Sequence, residues 1–195
     1  MLKRSLLATA ITLAATLPAF AHLDPGEHGS FAAGFTHPIF GLDHVLAMVA
    51  VGLWAATVGG RAMIGVPAAF VASMVLGFVL ALNGAELPFV EPAILASVVA
   101  LGFLVALAVR LPLPAGMAIV AAFGLFHGYA HGGEMGAATA FEYGAGFAAA
   151  TALLHVAGIG LGLLIGRLRG RLSGGIVRAL GAATGLAGVW LAFGG

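Results

Sequence analysis

The chain has no cysteine and little charge, Asp, Glu, Lys and Arg together making up 8% of 195 residues. Without thiols there are no disulfides, thiolate metal sites or cysteine nucleophiles, so any metal must be held by His, carboxylate, Met, backbone or water. No nucleotide-binding motif is present, and no segment alternates with the period of two that a barrel strand needs. What the chain does have is apolar residues and glycine. At 62% hydrophobic, with a mean hydropathy of +1.13 and 31 glycines, it lies far above the roughly 45–50% apolar content of soluble domains. An all-α integral membrane protein is expected. The net charge of +1 gives no reason to expect a nucleic-acid partner; the expected surroundings are a lipid bilayer.

The first stretch, MLKRSLLATAITLAATLPAFAH, carries Lys3 and Arg4, an apolar core from Leu6 to Leu17, Pro18, and a small-x-small AFA before His22. That pattern predicts a secretory signal peptide over 1–21, the core being too short to cross about 30 Å of hydrocarbon. A polar outer tail over 22–36 is expected to follow, then a transmembrane domain over 37–195. Six apolar runs of spanning length are expected as helices: His37 to Val58, Met63 to Leu82, Glu91 to Val109, Pro114 to Ala130, Tyr143 to Ile165, and Ile176 to Phe193.

Charge placement tests that count. Arg61, Arg110, Arg167, Arg169, Arg171 and Arg178 fall in or beside the breaks after runs one, three and five, whereas Asp24, Glu27, Glu86, Glu91, Glu134 and Glu142 all fall at the other face. Basic residues favour the cytoplasmic side, so six spans with both termini outside are expected, in the bacterial inner membrane with the N-terminus periplasmic. Glycines four apart at Gly124/Gly128/Gly132, Gly158/Gly162/Gly166 and Gly181/Gly185 suit close helix contacts in a compact bundle.

The ionisable groups near or within the runs are His37, Asp43, His44, Glu91, His127, His131, Glu134, Glu142 and His155. Such groups are costly in a bilayer and usually face a bundle interior or cavity with a function. In HPIFGLDHVLAM, His37 and His44 are seven apart, hence on one face of a continuous helix about 10 Å apart. Pro38 suits a first helical turn there. In FHGYAHGGE, His127 and His131 are i,i+4 neighbours, and Glu134 continues their stripe. The two stripes fall at matched depth and can converge if their helices touch. Glu91 is either a ligand or a solvated helix-start carboxylate. His155, deeper in TALLHVAG, is either a ligand or a hydrogen-bonded packing residue. Imidazole with carboxylate suits Ni²⁺, Co²⁺ or Zn²⁺. Copper(I) would want more sulfur than Met48 and Met135 offer. His22 and His28 add imidazoles to the outer tail, and a mature N-terminal His22 can chelate through amine and ring together.

At these residues the chain resembles the HupE/UreJ family of hydrogenase and urease accessory membrane proteins, regarded as nickel permeases. The resemblance covers nearly the whole mature chain, through HPIFGLDHVLAM, FHGYAHGGE and LLHVAG. It implies metal handling by His37, Asp43 and His44 from the first signature and by His127, His131 and Glu134 from the second, and it implies uptake of nickel for nickel enzymes. The cargo is then a bound or transported Ni²⁺, with Co²⁺ or Zn²⁺ as alternatives, and no resident cofactor or enzymatic activity is expected. Two other readings stay open: an intramembrane bis-histidine haem protein, and a membrane metalloenzyme with Glu134 as general base.

Overall fold

In the computed structural model, residues 30–132, 140–168 and 171–194 are described, and among them every expected apolar run is helical and no strand forms. The expected signal peptide, residues 22–29 of the expected tail with His22, Asp24, Glu27 and His28, and Glu134, Met135 and Arg169 lie outside the described residues, whereas residues 31–36 of that tail are helical. The helices are α1 (Phe31–Phe40), α2 (Leu42–Val58), α3 (Ala62–Leu82), α4 (Val90–Ala106), α5 (Leu113–Gly132), α6 (Ala140–Gly166) and α7 (Arg171–Ala192). Helices are the natural outcome for such runs, because in lipid each backbone N–H and C=O must find its partner within the segment.

Among the described residues four helices, α3, α5, α6 and α7, are long and apolar enough to cross a membrane. At 17 residues, α4 rises only about 26 Å. Large apolar side chains such as Ile64, Leu76, Val156, Leu186 and Trp190 face outward. A soluble monomer rarely exposes so much contiguous apolar surface, whereas lipid accepts it.

The first run departs from expectation. It is two helices, α1 and α2, bent by 81° at Gly41. The first begins at Phe31, because the Ser30 side chain caps it by accepting the Ala33 N–H at 3.1 Å, which is what a serine does at a helix start. Pro38 therefore sits in the last turn of α1 and not in a first turn. Lacking an N–H, it cannot continue the ladder to Gly34, which weakens the helix where it ends. Gly41 is extended (φ −79, ψ 113), its N–H bonds the His37 carbonyl, and its own carbonyl takes the Val45 N–H. The chain thus turns without stranding these backbone groups.

Packing centres on α2, which touches α1, α3, α4, α6 and α7. The most extensive pairings are α3 with α5, α4 with α7, and α2 with α6. Glycine makes each seam. A Cβ on Gly128 would collide with the Met74 carbonyl, and one on Gly124 or Gly132 would collide, less severely, with the carbonyl of Phe70 or Phe78. Gly158 and Gly52 bring α6 and α2 together, and Gly102 meets Gly181 and Gly185 between α4 and α7. The expected glycine stripes are therefore seams, except at Gly166, which has open space around it. Within lie Met48, Trp54, Phe70, Met74, Leu101 and Phe147, all buried. The Trp54 indole N–H donates to the Val109 carbonyl at 2.8 Å, tying the interior to the link between α4 and α5.

Candidate metal centre

The bend at Gly41 decides where the first histidine stripe goes. On a straight helix His37 and His44 would be two turns apart; with the chain folded at Gly41 their ring centroids are 5.4 Å apart, edge to face. From α5, His131 meets both: its ring lies 4.3 Å from that of His37, and its Nε2 is 2.9 Å from His44 Nε2. One ligand atom from each of the three histidines falls within 4.8 Å of the others. His44 and His131 are buried and His37 is half-buried. Two nitrogens bound to one metal at about 2.0–2.1 Å must lie roughly 3–3.5 Å apart. The His44–His131 pair is already near that spacing, at 2.9 Å.

Asp43 orients this group. It lies in the first turn of α2, where the helix end favours a negative charge. Its Oδ1 accepts from His44 Nδ1 at 2.9 Å. With Nδ1–H donated to the carboxylate, His44 presents the Nε2 lone pair, the carboxylate–histidine arrangement common at metal sites. His131 Nε2 must then be the donor in the contact between the two rings, so a metal entering here requires His131 to shift or release that proton. Gly41 leaves room for the pair: a Cβ there would stand 3.0 Å from His44 Nδ1 and 3.2 Å from Asp43 Oδ1. Phe147 of α6 walls the cluster, its ring 4.8 Å from His131 and 5.8 Å from His44.

His127, one turn from His131 on α5, is fully buried and approaches His44 ring to ring at 5.1 Å. It does not join the group of three. Its Nε2 is 2.9 Å from Ser97 Oγ, and that hydroxyl donates to the Ile94 carbonyl at 2.6 Å. The hydroxyl proton being committed, His127 Nε2–H is the donor and Nδ1 carries the lone pair. Ser97 is a residue that the sequence reading missed; the signal was one hydroxyl in the apolar stretch of α4 that follows Pro92.

The remaining candidates divide. His155 of α6 is 1% exposed, with Phe70 5.1 Å from its ring, and lies outside the three-histidine group. Glu91 is exposed in the first turn of α4, the position of a solvated helix-start carboxylate. Glu134 and His22 lie outside the described residues. A haem needs its two axial imidazoles on opposite faces of a broad ring; His44 and His131 touch nitrogen to nitrogen and leave no such slot.

A family model described as HupE / UreJ protein matches residues 9–191 of the chain. Protein HupE of Rhizobium leguminosarum bv. viciae is 49% identical over 179 residues, which span 88% of this chain and 94% of that relative. No solved structure matches the chain.

Proposed function

The chain belongs to the HupE/UreJ family, and from that premise we propose that it is a permease for a divalent transition metal, Ni²⁺ foremost, bound at His37, His44 and His131. The observation that carries this reading is the meeting of three imidazoles from three helices, with ligand atoms within 4.8 Å. Neutral imidazole nitrogen suits Ni²⁺, Co²⁺ and Zn²⁺, while Mg²⁺ would want mostly oxygen. Asp43 adds a negative charge beside the cation and holds His44 in its ligating tautomer.

In this proposal the protein crosses the bacterial inner membrane six times, the bent α1–α2 pair forming the first crossing, with both termini on the periplasmic side. The arginines grouped at the opposite face support that orientation. The histidine cluster then opens to the outside, and Glu134, His22 and the tail acids collect the ion at the entrance. The protein performs no chemistry on a substrate. It delivers nickel for enzymes such as hydrogenase or urease, driven by the membrane potential or an ion gradient, or passing the ion passively.

The test is nickel influx into vesicles holding the purified protein, with cobalt and zinc in parallel. His44→Ala and His131→Ala should abolish influx while each variant still inserts. Normal influx through both would sink the assignment.

A further inference from the structure

Two buried imidazoles are left over once the three-histidine group is assembled. His127 and His155 are 0% and 1% exposed. His127 Nδ1 and both ring nitrogens of His155 have no hydrogen-bond partner among the described residues. Buried polar atoms are nearly always paired, and leaving them unpaired is unfavourable. A histidine kept only for packing would be expected to use at least one nitrogen in a hydrogen bond to a neighbouring helix. His155 uses neither.

Their placement is ordered. The His127 ring is 5.1 Å from His44, at the edge of the three-histidine group. Phe70 packs on both imidazoles, 5.5 Å from the His127 ring and 5.1 Å from the His155 ring, so one side chain bridges the two histidines. On α6, His155 is two turns beyond Phe147, the residue that walls the outer group. Its backbone is pinned, since Gly52 lets α2 close directly on the His155 carbonyl. The lone pairs are ready as well. The Ser97 contact fixes His127 with its proton on Nε2, so Nδ1 can take a metal without first losing a proton.

We infer that His127 Nδ1 and His155 form a second, inner station for the transported divalent cation, receiving it from His44 by ligand exchange around Phe70. The inference rests on the permease reading above and adds the direction in which the ion leaves the first site. His127 is the hinge of the exchange, close enough to bind while His44 still holds the ion. His155 draws it further inward, away from the Asp43 carboxylate.

The experiment compares the full-length protein with His155→Leu, His155→Phe and His155→Cys. Three measurements are made on each: Ni²⁺ influx into proteoliposomes, equilibrium Ni²⁺ binding in detergent, and thermal melting. Leucine and phenylalanine fill the space without a ligand, and cysteine restores one. The ligand-free variants should melt no lower than wild type, because they remove unpaired buried nitrogens, and should bind Ni²⁺ with wild-type affinity at the first site. Their influx should fall by roughly tenfold or more, and His155→Cys should recover a large part of it. Wild-type influx through either ligand-free variant overturns the inner station and leaves the three-histidine reading intact. Lower melting with loss of first-site binding in both, or influx through His155→Cys no higher than through His155→Leu, overturns it as well. A wild-type protein that neither binds nor admits Ni²⁺ overturns the permease reading itself.

Discussion

The corner between α1 and α2 and the seam between α3 and α5 are built by opposite means. At the corner a regular helix is interrupted, and the interruption gathers polar groups: Asp43, His44 and His37 all lie within a few residues of Gly41. Along the seam two unbroken helices touch backbone to backbone, through Gly124, Gly128 and Gly132 against Phe70, Met74 and Phe78. The two are linked by helical phase. His127 and His131 each precede a seam glycine by one residue, about 100° around α5. The seam therefore fixes the face on which those imidazoles stand, and the corner supplies the imidazoles they meet. Hydrophobic burial does not drive helices together in lipid, so close van der Waals contact of this kind must do it.

Breaking the mount should have the largest effect. Gly128→Leu drives a side chain into the Met74 carbonyl, an overpacking cost of about 3 kcal/mol or more. Loss of the monodisperse protein and of metal binding together is expected, measured by size-exclusion chromatography and calorimetry. Changing the corner's charge should leave the fold intact. Asp43→Asn keeps the shape but lets the amide hold His44 in the wrong tautomer, weakening Ni²⁺ binding by about 10–100-fold with melting unchanged. Gly41→Ala is milder, because its backbone angles suit any residue and only the Cβ crowds the His44–Asp43 pair. Roughly tenfold weaker binding is expected, corresponding to about 1.4 kcal/mol, and a titration that matches wild type would show that the corner has slack. Gly160→Ala should do least. Nothing lies within 4 Å of a Cβ there, so melting should move by less than about 0.5 kcal/mol equivalent. A large loss would mean that this face of α6 is covered by something other than lipid.

Much of this was legible in the sequence, and the rest was hidden for physical reasons. Hydropathy marked all six apolar runs because lipid leaves the backbone few options. The i,i+4 spacing placed His127 and His131 on one face, and the glycine spacing marked the seams. The bend was not read from Pro38 and Gly41, since either residue can sit inside a continuous transmembrane helix when neighbours satisfy the freed backbone groups. The choice between bent and straight is made by tertiary contacts, here the meeting of His37 and His44 with His131. Ser30 did carry a local cue to the earlier start of α1, as a capping residue ahead of an apolar run. Ser97 showed only as a lone hydroxyl in an apolar stretch, and its importance comes from a partner 30 residues away. Glu91, grouped with the histidines by chemistry alone, faces outward.

Trp54 lies ten residues along α2 from His44, about 15 Å further along the helix axis, where its indole is bonded to Val109 and its ring is packed on Gly116. The other tryptophan, Trp190, is 60% exposed on the outer surface of α7. The protein thus carries two natural fluorophores in contrasting surroundings. A lipid-borne quencher is expected to reach Trp190 and spare Trp54, and the residual emission is then a gauge of the end of α2 remote from the histidine cluster. If an ion passing that end parts the indole from its carbonyl, the colour of that emission changes with each passage, without any added label.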